Sequence, residues 1–520
     1  MLVASPMWRA AFVPLAVASI VVACSSGSSG GNDSDSGSDA SQFTQGDGGQ
    51  SASSSGAAMS ASSSGATTST SSSGVTTSSA SSASSSGAAV TTSSSGGTTS
   101  ASSSGSSSGG TTSSSGGGSG GGTVASGTDA GGCLGSSLLS ALGKNRLMIG
   151  VSGSSTAEAA APYDLRYVYI SGGLFSSSTP CASCSSCAPS GSWWGCYDSP
   201  PGMYATYFLE GAAAATPPQI PMFTYYEILQ TAQATLSGFQ EGTAEVTEAA
   251  TNTGIMTRYY NDWRFLLQTI GQTQALLHIE PDFWGYVRQA GDPTTLPAAV
   301  SSVNSTDCAS LPSTIAGMGQ CMISMVRKYA PHALVGLQGS AWNISLNTSA
   351  STNVTADATA VAGVLAACGQ SSADFVVVET SDRDAGYYQV VEDEDTWWDP
   401  TDTTLPDYAQ DLTWIKALTE ALGVPALYWQ TPLGNSTQNN TMNHYKDNRV
   451  DYFFGGSASQ VESGAAVTVP SHWSELAAAH VVGVAFGAGN GDTTTPDTDG
   501  GNLATKTSAY ISAGGQALCQ

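Results

Sequence analysis

The chain has little positive charge: 14 Lys and Arg stand against 39 Asp and Glu, a formal net charge of −25, and the largest basic cluster is the pair Arg327-Lys328. Such a field repels phosphate backbones, which argues against nucleic acid as a partner and makes acidic polysaccharides poor substrates. No G-x-G-x-x-G follows a first strand, and no P-loop occurs, so no nucleotide-phosphate cradle is written in the sequence. The serine-hydrolase elbow pattern, as in G-S-S-S-G at Gly105–Gly109, occurs by chance in the low-complexity tract and not in residues 133–520. Histidine is scarce, with 5 in all, and none pairs with His278 at metal-ligand spacing.

From Ser25 to about Gly132 the chain lacks the apolar side chains that a core requires, and a short leader precedes it. Met1–Ala23 carries one positive charge, Arg9, then an apolar run from Ala10 to Val22 that is too short to span a bilayer of about 30 Å. It reads as an export signal. Its ending, Val21-Val22-Ala23-Cys24, resembles the lipobox of bacterial lipoproteins. The resemblance implies cleavage before Cys24 and a diacylglycerol on its sulfur, with membrane contact through that lipid alone. Ser25 after the cysteine leans towards an outer membrane or the cell surface. From Cys24 to residue 132 the chain is almost only Ser, Gly, Thr and Ala, a disordered tether. A Gly/Ser coil of that length spans roughly 55 to 60 Å root-mean-square.

One foldable unit is expected over residues 133–520. Export makes disulfides the default for its nine cysteines. Cys133 and Cys519 bracket the unit and are expected to tie its ends, and Cys308 with Cys321 to close a small loop. Cys181, Cys184, Cys187 and Cys196 contain C-x-x-C-x-x-C, a metal pattern in cytosol but two local bridges outside the cell, with Cys368 paired into this cluster or left free.

Eight apolar, β-rich segments recur: Leu147–Val151, Leu165–Ser171, Ile220–Tyr226, Ala275–Ile279, Ala333–Gln338, Phe375–Glu379, Ala426–Gln430 and Val481–Phe486. Helical patterns lie between them at Arg258–Ile270, Leu311–Tyr329, Ala356–Cys368, Tyr408–Leu422 and His472–Ala479. Near-continuous apolar strands alternating with helices predict a parallel sheet covered on both faces, and eight units predict a (β/α)8 TIM-type barrel. The long stretch Gly172–Gln219 after the second strand, rich in cysteine and aromatics, reads as a disulfide-pinned insertion over the barrel.

A barrel places its chemistry where strands run out at their carboxyl ends. Those ends supply Tyr225, Tyr226 and Glu227; His278, Glu280, Asp282 and Trp284; Gln338 and Trp342; Glu379, Asp382, Arg383 and Asp384; and Trp429, Gln430 and Asn435. Acids, amides and aromatics at one end suit sugar binding. Glycoside hydrolysis needs two carboxyl groups about 5 to 5.5 Å apart for retention or about 6.5 to 9.5 Å for inversion. Glu280 and Glu379 are the expected pair, with Asp282 and Asp382 as the nearest substitutes. The expected function is a surface-anchored, monomeric glycoside hydrolase for a neutral glycan.

No cofactor is required by that chemistry. Asp393, Glu394, Asp395 and Asp399, or Asp492, Asp497 and Asp499, are compatible with a structural calcium ion. Two rival readings remain open: a carbohydrate-binding or scaffold protein without catalysis, and a metal-dependent hydrolase using His278, Glu280 and Asp282.

The run Ala275–Asp282, ALLHIEPD, resembles the strand-then-E-P-D motif of family 6 cellulases. That likeness implies a modified barrel with Asp282 as general acid. The family's R-D-C motif should precede this strand, whereas here Ser381–Asp384, S-D-R-D, follows it without a cysteine. The wider clan of retaining barrel glycosidases carries its acid on strand four, which fits Glu280, and its nucleophile on strand seven, where this chain has Gln430. The chain thus resembles barrel glycosidases in general.

Overall fold

The structure is a computed structural model that describes residues 133–171, 194, 200, 202–341, 353–460, 466–487 and 492–518. The leader, Cys24, the Ser/Gly tract, Cys181, Cys184, Cys187, Cys196, Trp342 and Cys519 lie outside the described residues.

Eight strands close into a barrel: β1 (Met148–Val151), β2 (Leu165–Ile170), β3 (Ile220–Tyr225), β4 (Leu276–Ile279), β5 (Leu334–Ser340), β6 (Val376–Glu379), β7 (Ala426–Thr431) and β10 (Val481–Phe486). Their order is β1-β10-β7-β6-β5-β4-β3-β2, and all neighbours are parallel. This is the expected (β/α)8 architecture. A short antiparallel hairpin, β8 (Gly456–Ala458) with β9 (Val467–Val469), is inserted before the last barrel strand.

Every residue of β3, β4, β5, β7 and β10 is buried, because one face packs inside the barrel and the other under helices. Side-chain alternation sends Tyr167 and Tyr169 of β2 to one face, where their rings meet Trp429 at 6.1 and 5.6 Å. The ring of His278 meets Trp429 at 4.6 Å. The barrel is therefore filled by aromatic side chains from β2, β4 and β7. A Cβ on Gly487, just beyond β10, would stand 2.1 Å from the Tyr167 hydroxyl, so a bare backbone is needed there.

Side-chain caps decide where the helices begin. The helix expected from Arg258 starts at Thr253, because Asn252 accepts hydrogen bonds from the N–H groups of Gly254 and Ile255. The one expected from Leu311 starts at Ile315, after Thr314 caps it. The helix Phe283–Ala290 starts directly after the E-P-D motif and has no forerunner among the expected helices. Trp284, expected at the sugar-binding end, is 2% exposed, and Phe283 beside it is 0% exposed.

The Cys308–Cys321 disulfide forms as expected, with 5.5 Å between Cα atoms. Cys133 is disulfide-bonded, and Cys368 is free and buried. Within the insertion after β2, Met203–Ala214 is a helix that packs on Thr253–Ile270, and Trp194 donates to Asp262.

Candidate active site

The carboxyl ends of the strands meet at one mouth, and the backbone there is strained. Pro281 has no N–H to extend β4, and a helix begins at Phe283, so the chain must turn within three residues. It does so with Glu280 at φ +50° and Asp282 at φ +60°. The Phe283 N–H bonds the Pro281 carbonyl at 2.5 Å, a γ-turn centred on Asp282. Gln430, at the end of β7, also has a positive φ, +53°. Side chains other than glycine in such conformations cost about 1–3 kcal/mol each and persist where surrounding contacts enforce them.

Glu280, the acid expected from strand four, is committed to the protein's own backbone. It is 0% exposed, and its Oε1 accepts hydrogen bonds from the N–H groups of Glu227 and Ile228, both at 3.1 Å. Those groups open the helix Ile228–Thr235, so the side chain supplies that helix's missing cap. Burial pushes its carboxyl up to about 8, against the pull of the Glu227 N–H, the Tyr259 hydroxyl and the Ile228 N–H.

Glu379, at the end of β6, is held by two amides. Its Oε1 accepts from Gln430 Nε2 at 2.8 Å and its Oε2 from Gln338 Nε2 at 3.2 Å. Gln430 thus stands where a nucleophile was expected and instead orients the carboxylate of the neighbouring strand. Burial raises Glu379 well above the usual range, helped by Asp282 and Asp382, while Gln338 and the positive charge of Arg449 lower it.

Asp282 is 6% exposed and makes no cap to its helix. Burial raises its carboxyl, followed by the charges of Glu241, Asp382 and Glu280. Asp382 accepts from the Tyr388 hydroxyl and lies 3.7 Å from the Arg383 guanidinium, which stacks over the Tyr387 ring at 4.6 Å. Glu241 accepts from the Tyr286 hydroxyl at 3.0 Å; burial lifts its carboxyl to about 7, with Asp382 adding to the effect. The phenols of Tyr169 and Tyr226 face the same charges: burial raises both, and then Glu379, Asp282 and Asp382 act on Tyr169, and Asp282, Glu241, Glu245 and Glu280 on Tyr226.

Other expected site residues have structural partners. The Tyr225 hydroxyl donates to Asp262 at 2.9 Å, outside the barrel wall. Trp284 is a core residue whose indole N–H donates to the Ile279 carbonyl at 2.9 Å. Asp384 accepts from the N–H groups of Gly434 at 2.8 Å and Thr494 at 2.7 Å, tying together the loops after β6, β7 and β10. Asn435 is 2% exposed, donates to the Asp499 carbonyl and accepts from Thr437. Glu227 is wholly buried beside the Glu280 cap.

His278 faces Thr224 at 3.3 Å and Trp429, and burial lowers its imidazole to about 3, so it is neutral. The proposed ligands His278, Glu280 and Asp282 do not converge: among the described residues no three His, Cys, Asp or Glu are grouped to hold a metal ion. In the acidic loops, Asp399 accepts from Thr401, Thr403 and Thr404, Asp497 from Ser154, and Asp499 from Gly501 and Leu503.

Sequence reasoning missed Tyr169, Glu241 and Tyr388. Tyr169 follows Tyr167 at the strand period of two near the end of β2, a signal of an inward side chain. Tyr286 lies four residues after Asp282, so a helix starting there aligns the two. Glu241 sits in a loop with no periodicity to mark it.

No protein-family model matches the chain, and no curated protein matches it. Among the solved structures that match are cellulases, a mannanase and mannosidases, and also a pyruvate carboxylase from Rhizobium etli. The endoglucanase Cel6 from Mycobacterium tuberculosis, in complex with a thio-cellobioside, is 12% identical over 59% of this chain and 81% of its own, with a TM-score of 0.27. An endo-beta-1,4-mannanase double mutant from Cellulomonas fimi is 11% identical over 72% of each chain, TM-score 0.40. A glycoside hydrolase family 5 mannosidase mutant from Rhizomucor miehei, in complex with mannosyl-fructose, is 10% identical over 69% of this chain and 86% of its own, TM-score 0.37. At this identity and overlap the likeness says nothing of substrate or chemistry.

Proposed function

We propose that the chain is a glycoside hydrolase that cleaves a polysaccharide or oligosaccharide free of acidic groups, with Asp282 as general acid and Glu379 as its partner carboxylate. The supporting observation is the crowding of Asp282, Glu379 and Asp382, from two strand ends, so that each disfavours charge on the others. Crowded carboxyls lose their protons in successive steps that belong to the group. Glu379 receives two amide N–H bonds and the field of Arg449, which favour its ionised form and suit it to the carboxylate's role. Burial, and then Glu241, Asp382 and Glu280, raise Asp282, which suits it to the role of the acid.

That division matches the reaction. Asp282 gives its proton to the glycosidic oxygen as the C–O bond breaks, and Glu379 attacks the anomeric carbon or takes a proton from attacking water. Water supplies the hydroxyl that ends on the sugar and the proton that restores Asp282. The half-buried Tyr169, packed on Trp429, offers a ring to a sugar face. The leader, Cys24 and the Ser/Gly tether would hold the barrel at the cell surface by a lipid.

Asp282→Asn is expected to lower reducing-sugar release by about 10²- to 10⁴-fold while glycan binding persists. A wild-type protein that binds one glycan yet releases sugar from none of a broad panel would instead be a carbohydrate-binding scaffold. Activity lost on chelation and restored by zinc would transfer the role to a metal.

A further inference from the structure

Four neighbouring strands bring polar side chains to one face inside the barrel. Strand pairing sets Thr224 of β3 level with His278 of β4, and His278 level with Gly336 of β5. Gln338, two residues after Gly336, shares that face, and so does Ser340, the partner of Glu379 on β6. Thr224, His278, Gln338 and Glu379 thus lie on one diagonal that climbs towards the mouth.

Two contacts on this diagonal are closed. Thr224 Oγ1 lies 3.3 Å from His278 Nδ1, and Gln338 Nε2 donates to Glu379 Oε2 at 3.2 Å. Between them stand two buried atoms with no other hydrogen-bond partner, His278 Nε2 and Gln338 Oε1. They are matched in kind: burial lowers the imidazole to about 3, and a hydrogen bond to the Gln338 side chain opposes that shift, as an acceptor does.

A neutral imidazole carries one N–H and one bare nitrogen. With the proton on Nδ1, the bare Nε2 would face the Gln338 oxygen, and the amide would turn that oxygen towards the Glu379 carboxylate. With the proton on Nε2 every group is used. The Thr224 hydroxyl then donates to Nδ1, Nε2–H to Gln338 Oε1, and Gln338 Nε2–H to Glu379.

We propose, resting on the hydrolase reading above, that His278 is a positioning residue held as the Nε2–H tautomer, whose N–H locks the Gln338 amide with its nitrogen towards Glu379. Thr224 sets the tautomer, and Gln338 delivers the donor. All donors point along the chain to the carboxylate, and hydrogen bonds arranged head to tail polarise one another. No proton is transferred, and His278 touches no reacting atom.

Nitrogen NMR of the full chain, labelled at its 5 histidines, reads the tautomer without any assay of activity. The His278 signals, assigned by their loss in His278→Gln, should show a bare Nδ1 and a protonated Nε2 from about pH 5 to 8. His278→Asn keeps a polar group facing Thr224 but removes the donor to Gln338. It should lower kcat about ten-fold with KM unchanged and move the acidic limb of the pH–rate profile up by about one pH unit. His278→Gln, whose amide N–H reaches the place of Nε2, should restore most of both. In a Gln338→Met background His278→Asn should add little. A proton on Nδ1, with Nε2 accepting from the Trp429 indole N–H packed against the ring, overturns the proposal. An acidic limb left in place by His278→Asn in a folded, active protein does the same. The Nε2–H tautomer in a chain that cleaves no glycan supports the locked amide and sinks the hydrolase reading.

Discussion

Glu280→Gln should stabilise the protein at alkaline pH and leave it nearly unchanged in acid. Burial raises this carboxyl from an ordinary 4.5 to about 8. A raised folded value means that protonation favours the fold: the contribution is complete below about 4.5 and is lost as pH climbs through about 8. At 1.36 kcal/mol per pKa unit the burden is about 4 kcal/mol at pH 8 and about 1 kcal/mol at pH 5. Glutamine keeps an oxygen for the Glu227 and Ile228 N–H groups and carries no proton to lose. The unfolding free energies of the two proteins in urea should differ by about 1 kcal/mol near pH 5 and by about 4 kcal/mol near pH 8, each time in favour of the variant. Glu158, Glu241 and Asp411, raised by burial to about 7, and Asp384, raised to about 8, titrate in both proteins and cancel in the difference. A difference that does not change with pH refutes the reasoning. A folded variant that loses more than a hundred-fold in glycan cleavage would return the acid's role to Glu280.

Gln430→Leu removes one N–H bond from the Glu379 carboxylate. A bond to a charged group contributes about 1.5–3 kcal/mol, so the acidic limb of the pH–rate profile should move up by about 1 to 2 pH units. An unmoved limb, with activity retained, would show that Glu379 is not the ionised partner. Cys24→Ser should transfer the protein from the detergent-extracted membrane fraction to the soluble one. Retention in membranes would rule out a lipid on that sulfur.

The barrel was legible because its strands are apolar on both faces and end at Gly, Pro or polar residues. All eight expected segments became strands within one or two residues, with β5 running two residues on to Ser340. The site was legible by place more than by role. Strand ends located Glu379, Asp282 and Asp382, but residue type could not say which carboxyl faces the mouth and which serves the backbone. Glu280 and Asp384 illustrate this, since their partners are N–H groups of loops distant in sequence: Glu227 and Ile228 for one, Gly434 and Thr494 for the other. Aromatics misled for a related reason. Phe283 and Trp284 form the buried face of a helix whose start was hidden by the proline before it.

The backbone at Asp282 argues for a role beyond folding. An aspartate before a helix ordinarily caps it, and Asp407 does so: its extended backbone, φ −142° and ψ 168°, lets the carboxylate accept from the Gln410 N–H. Asp282 occupies the equivalent place before Phe283–Ala290, yet its φ of +60° and ψ of −44° leave that cap unmade. The chain thus adopts a strained turn and forgoes a cap that typically contributes about 1 kcal/mol. What it gains is a carboxyl released from the helix N-terminus, which would have favoured its ionised form. Burial first, and then Glu241, Asp382 and Glu280, raise its carboxyl above the usual range instead. A side chain meant only to start a helix would adopt the geometry of Asp407. On the reading proposed above, the geometry of Asp282 suits an acid that donates.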